Sequence, residues 1–162
     1  MSAEAQPNTE LTDAQQQAHD TSRNDRTRSL DAMHTLEKMM GRAAPGRDRA
    51  WHRDIIDALR DLELAIRQQQ SSYEEPSSLL VEIAQEQPRL RTWIRQLHRQ
   101  WNDLANQTRT MRQELELADE VSTSYADIRE RLRWLITALH HHRAREADVV
   151  YEALSIDLGL GE

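Results

Sequence analysis

Residues 88–118 read PRLRTWIRQLHRQWNDLANQTRTMRQELELA, and this stretch decides the fold. Apolar or small side chains recur along it in alternating steps of four and three residues, at Leu90, Ile94, Leu97, Trp101, Leu104, Thr108, Met111 and Leu115. This heptad spacing places one continuous stripe on a helix that packs against other helices. Proline is well suited to the first position of such a helix, and Pro88 stands there. The sequence therefore predicts a long helix over about 88–118.

Three further long helices are predicted at about 29–41, 47–74 and 124–155, with a short helical piece at 77–86. Each long helix carries apolar residues at steps of three and four. The last one opens with Ser124-x-x-Asp127, which resembles a capping box. Because the connections are short, successive helices are expected to be antiparallel neighbours. The predicted fold is an all-α, up-and-down four-helix bundle.

Composition limits what this bundle can do. The chain has 162 residues, no cysteine, and 28 acidic against 21 basic residues, for a net charge of −7. Without cysteine there are no disulfides and no thiolate metal site, and the acidic balance argues against nucleic acid as a partner. No leader or membrane-spanning pattern is present, so we expect a cytoplasmic protein that does not bind membranes. Residues 1–27 contain almost no large apolar residue besides Leu11 and are predicted to be a disordered tail, with the bundle over 28–162.

The stripe of the last predicted helix changes character partway along. It contains, in order, Ile128, Leu132, Leu135, Leu139, His142, Glu146, Val149 and Ala153. Burying an imidazole and a carboxylate costs several kcal/mol unless each finds a partner. A cation held between facing helices is one such partner. Hydrogen bonds between the two side chains, or with arginines of a neighbouring helix, are the other.

The sequence around this pair resembles a known family. Residues 142–153, HRAREADVVYEA, with the tail Asp157-Leu158-Gly159, are similar to the last helix of bacterial hemerythrin-like (HHE cation-binding) proteins. Weaker similarities lie in Pro88-Arg89-Leu90, in Met33-His34-x-Leu36-Glu37, and in Glu74-Glu75-Pro76 ahead of Leu79-Leu80. The resemblance covers about residues 29–160. It implies an antiparallel four-helix bundle around a carboxylate-bridged pair of non-haem irons, with reversible binding or sensing of dioxygen. Since the sequence supplies no nucleophile and no recognised acid–base pair, we do not expect an enzyme.

The resemblance also implies a set of metal ligands, which this chain matches in part. His142, Glu146 and Glu74 match positions of the family pattern, and His98 or His34 are the further candidates. The histidine expected on the second long helix falls on Gln70. The glutamate–histidine pair expected on the third falls on Gln100 and Trp101, and an indole has no lone pair for a metal.

The heights of residues along the helices bear on the same question. Counted from the turn near 119–123, Trp101 and His142 stand at the same level, so the indole is expected to face the layer of His142. By the same count His34 lies roughly 16 Å from that layer, at 1.5 Å per residue. Two functions therefore remain open. One is an iron-binding, oxygen-handling bundle; the other is a metal-free bundle that acts as a structural or partner-binding protein, with a protein partner or a second copy of the chain.

Overall fold

The computed structural model describes residues 13–42, 46–118 and 124–159. These residues form helices and turns, with no β-strand among them, so the all-α prediction is confirmed. The elements are α1 (Asp13–Gly41), α2 (Asp48–Glu74), α3 (Leu79–Glu86), a 3₁₀ turn (Pro88–Leu90), α4 (Arg91–Leu117) and α5 (Tyr125–Gly159). None of the described helices is both long and apolar enough for a membrane crossing.

The stripes that the sequence predicts are the buried faces of the helices. All eight stripe positions from Leu90 to Leu115 are buried, and so are all eight from Ile128 to Ala153. Apolar residues of all the helices meet in one core cluster. Burial therefore follows the heptad spacing, including the positions that polar residues occupy.

Helix α1 begins earlier than predicted. Residues 13–27, expected to belong to a disordered tail, are helical, while residues 1–12 lie outside the described residues. The added turns are joined to the bundle by polar contacts. Asp25 is buried and accepts a hydrogen bond from the Ser72 hydroxyl. A search for large apolar residues, on which the tail prediction rested, does not detect contacts of this kind.

Specific side-chain contacts fix how α1 and α2 lie against each other. Near the end of α1, the Trp51 indole N–H donates to the Met39 carbonyl oxygen at 2.8 Å. Near its middle, the Ser29 hydroxyl donates to the Gln69 amide oxygen at 2.6 Å. The early part of α1 therefore lies beside the later part of α2.

Helix α5 is joined to both α1 and α4. His140 lies 3.1 Å from Glu37 of α1, and Arg131 lies 2.5 Å from Glu114 of α4. Further along α5, His142 contacts Gln100. Arg143 donates to Ser29 near the middle of α1 at 3.1 Å. Together these contacts place the His142 region of α5 beside the first half of α4 and the later half of α1, where the site described next is formed.

Candidate functional site

One layer of the bundle is buried but polar. His142 is 2% exposed and Glu146 is 6% exposed, so both face the core, as their stripe positions predict. Side chains from the other three long helices surround them. We use the name polar layer for seven residues, which are Ser29, Gln69, Tyr73, Gln100, Trp101, His142 and Glu146.

The Glu146 carboxylate has two direct partners. The Tyr73 hydroxyl donates a hydrogen bond to Glu146 Oε1, and a guanidinium nitrogen of Arg26 lies 3.5 Å from the same oxygen. Burial raises the pKa of Glu146, while the Tyr73 hydrogen bond and the charges of Arg26 and Arg143 oppose that rise. Burial and the neighbouring carboxylate also raise the pKa of Tyr73, so its hydroxyl keeps its proton at neutral pH and donates it.

The bond from Tyr73 is the last link of a longer chain. The Gln69 amide N–H donates to the Tyr73 hydroxyl oxygen, and the Gln69 amide oxygen accepts from Ser29 at 2.6 Å. The Ser29 oxygen in turn accepts from Arg143 at 3.1 Å. The hydrogen bonds therefore run from α5 through α1 and α2 and back to α5. They supply the buried carboxylate with donors from the chain itself.

The His142 imidazole is held differently. Its Nδ1 lies 3.2 Å from the Gln100 amide oxygen, and its Nε2 is buried without a hydrogen-bond partner among the described residues. Burial lowers the pKa of His142 to about 4, and electrostatic interactions with Arg145, Arg143 and His98 add to that effect. The ring is therefore neutral at neutral pH. With Nδ1 donating to Gln100, a lone pair remains on Nε2.

Aromatic rings fill the rest of the layer. The Trp101 indole packs on His142 with ring centroids 4.2 Å apart, so the prediction that it faces the His142 layer is confirmed. The indole also stacks with the Tyr73 ring, with ring centroids 6.4 Å apart. The Trp101 indole N–H has no hydrogen-bond partner within the described part of the chain. The space beside the imidazole is occupied by a ring that cannot bind a metal.

The candidate ligands from the sequence are not all near this layer. Glu74 and His34 are exposed, and His98 is half-buried. Within residues 13–42, 46–118 and 124–159, no group of three or more His, Cys, Asp or Glu side chains could hold a metal ion. The layer contributes one imidazole and one carboxylate, and the carboxylate lies beside a guanidinium. This donor set does not fit the carboxylate-bridged iron pair that the resemblance implies.

Sequence reasoning missed Ser29, Gln69 and Tyr73, although a signal for two of them is present. The stripe of α2 runs Ile55, Leu59, Leu62, Ile66 in steps of four and three. Continuing the same alternation gives Gln69 and then Tyr73, which are 0% and 4% exposed. The polar interruption of the α5 stripe thus has a counterpart on α2. Extending both stripes to the ends of their helices would have identified the polar residues of α2 as candidate partners of those on α5.

No protein-family model, no curated protein and no solved structure matches the chain. The resemblance to hemerythrin-like proteins therefore depends on the residues quoted above.

Proposed function

We propose that the protein is a metal-free, antiparallel up-and-down four-helix bundle that acts in the cytoplasm as a partner-binding scaffold and not as an enzyme. The observation that carries this proposal is the chain of hydrogen bonds ending on Glu146. The antiparallel arrangement of α1 and α2 is supported by their contacts, since residues 25, 29 and 39 pair with 72, 69 and 51.

Electrostatics supports a structural role for the polar layer. A buried carboxylate needs partners, and hydrogen-bond donors and a nearby cationic side chain already meet that need at Glu146. Arg26 and Arg143 both place positive charge near this carboxylate. A metal cation at the same oxygen would be repelled by those charges and would have to displace the Tyr73 hydroxyl. The polar layer therefore satisfies its buried carboxylate without a metal ion.

The partner-binding part of the proposal is supported by the surface. The described residues include exposed large apolar side chains, of which Trp134 is 72% exposed and Tyr151 is 73% exposed. Exposed aromatic side chains of this size are enriched at the centres of protein interfaces. In the polar layer the Ser29 hydroxyl donates to the Gln69 amide oxygen and the His142 imidazole contacts Gln100, so the arrangement gives no support to a histidine-activated serine nucleophile.

A cation-binding, hemerythrin-like function is the second candidate, and one observation favours it. The lone pair of His142 Nε2 is buried without a partner, four residues from a buried carboxylate. Under this alternative His142 and Glu146 would hold one ion, and Glu74, His98 or His34 would have to leave their present positions to complete the ligands. Non-haem iron with dioxygen binding or redox sensing would then be the function.

Metal analysis separates the two candidates. The chain is produced in iron-supplemented medium, and its iron content and visible absorption are measured for the wild type, for His142→Leu, and for a His140→Ala/His141→Ala control. The control removes the two exposed histidines beside His142, whose imidazoles are open to adventitious metal. We expect no ligand-to-metal absorption bands, and any bound iron to be lost in the control. Stoichiometric iron that survives in the control and disappears in His142→Leu would overturn the proposal.

A further inference from the structure

A long groove runs between α4 and α5 on the outside of the bundle. It consists of two adjoining cavities of about 640 and about 380 Å³, which share Asp103, Gln107, Trp134 and Ala138. Along α5 the lining extends from Arg131 to Arg145. At 1.5 Å per residue, these 14 steps correspond to roughly 21 Å, or about four helical turns. We call this feature the α4–α5 groove.

The buried part of the groove's lining is mainly apolar, with His142 as its polar member, whereas Asp103 and Gln107 add polar groups where the two cavities meet. Leu104 and Met111 of α4 and Leu135 and Ala138 of α5 form the apolar floor of the groove. Trp134 lines both cavities and is 72% exposed. An exposed indole flanked by an apolar floor gives a partner side chains to bury against, which is the usual composition of an interface hot spot.

The charge beside the groove is opposite to that of the chain. Residues 131–145 carry four arginines, three histidines and no acidic residue, although the net charge is −7. On the α4 side, Asp103 is the charged residue among those that line the groove. His141 and Arg145 line one end of the groove, and Arg131, which pairs with Glu114, lines the other.

We propose that the α4–α5 groove binds an acidic amphipathic helix of a partner protein. The apolar face of that helix packs on Trp134 and the floor, and its acidic residues lie toward Arg145 and Arg131. This inference rests on the proposed function, because it names the kind of partner that the scaffold takes. A helix laid in an apolar groove is a common mode of peptide recognition, and the length of the groove suits one of about 14 residues.

A single-stranded nucleic acid fits the same surface less well. Asp103 lines both cavities, so a carboxylate stands where a phosphate backbone would pass. A nucleic acid carries a charge at every phosphate, so the net charge of −7 opposes it along its whole length, whereas an amphipathic helix can place its few acidic residues beside Arg145 and Arg131, away from Asp103. The apolar floor suits leucine or isoleucine side chains, whereas phosphate binding depends on a continuous basic track.

The test uses a fluorescent synthetic helix of about 16 residues, with leucines at i, i+3, i+4 and i+7 and glutamates on the other face. A matched peptide carries lysine in place of every glutamate. Anisotropy is measured with the wild type, Trp134→Ala and Arg145→Glu. Leu64→Ala and Arg53→Glu, at exposed positions on α2, are the controls. We expect each groove variant to weaken binding about tenfold, both controls to leave it unchanged, and the lysine peptide not to bind.

Several outcomes would overturn the inference. They are equal binding of the two peptides, no binding of either, no loss in Trp134→Ala, and tighter binding of a single-stranded oligonucleotide that Trp134→Ala abolishes. Self-association that depends on Trp134 would make a second copy of the chain the occupant. None of these results changes the iron content of the protein. A failure here is therefore distinguishable from a failure of the metal-free proposal, which depends on His142.

Discussion

Two regions of the core are equally buried but differ in chemistry. In the apolar region Leu59 and Leu132 are 0% exposed, and in the polar layer Gln69 is 0% and His142 is 2% exposed. Both sets occupy stripe positions of their helices. Heptad spacing therefore determines which residues are buried, whereas residue type determines which partners burial then requires.

The two regions also constrain the helices differently. Apolar contacts between helices are non-directional, and neighbouring side chains can rearrange around them. The hydrogen bonds that link Arg143, Ser29, Gln69, Tyr73 and Glu146 need one relative position of α1, α2 and α5. We infer that the polar layer fixes the relative position of these helices more than it adds to the free energy of unfolding. Mutations in the two regions should therefore change stability by different amounts.

The largest effect is expected in the apolar region. Leu132→Ala removes a side chain that is 0% exposed and leaves a cavity that the helices cannot fill. It should lower the free energy of unfolding by about 2–5 kcal/mol, measured by urea denaturation. Leu154→Ala, at an exposed position of the same helix, is the control and should cost little. A small loss for Leu132→Ala would mean that the core is loosely packed.

A smaller loss is expected when the chain of hydrogen bonds is cut. Tyr73→Phe keeps the ring on Trp101 but removes the donor to Glu146, so the buried carboxylate loses a partner. The free energy of unfolding should fall by about 1–3 kcal/mol. The exposed Tyr151→Phe serves as the matched control. If Tyr73→Phe were neutral, the carboxylate would be satisfied without the tyrosine.

The pH dependence of stability should report the buried histidine. The pKa of His142 is lowered to about 4 from an ordinary value near 6.5, so between these values the unfolded chain binds more protons. The wild type should gain stability relative to His142→Leu as pH rises from 4 to 6.5, by at most about 1.4 kcal/mol per pH unit, and no further above that.

Comparing the wild type with His142→Leu also separates the pH dependence of stability due to His142 from that due to Glu146. The raised pKa of Glu146 acts in the opposite direction, since the folded chain then binds more protons above pH 4.5 and loses stability as pH rises. Glu146 is present in both proteins, so its contribution largely cancels in the difference. A stability difference that does not change between pH 4 and 7 would show that His142 is not buried as a neutral ring.

Much of this comparison could be predicted from the sequence. The stripes of α4 and α5 identify the buried faces, and the levels of Trp101 and His142 predict their contact, because helix geometry is regular. An arginine of a neighbouring helix was one of the predicted partners of the His142–Glu146 pair, and Arg26 of α1 lies 3.5 Å from Glu146. The hydrogen bond from Tyr73 was not predicted, since contacts between helices far apart in sequence depend on side-chain rotamers and on the exact register. The early start of α1 was missed for a related reason. Asp25 and Ser29 continue its buried face with polar residues, which an apolar pattern does not include.

The smallest expected effect belongs to His142→Leu, which asks whether the polar layer is stable without a metal ion. The imidazole has one hydrogen bond to the half-buried Gln100 and an unpartnered Nε2, whereas leucine can pack on Trp101 without burying a polar atom. At pH 7, the free energy of unfolding of each protein, measured by urea denaturation, should be the same with iron as with a chelator. The variant should be as stable as the wild type or up to about 1 kcal/mol more stable. A wild type that iron stabilises and a variant that is less stable and unaffected by iron would contradict the account.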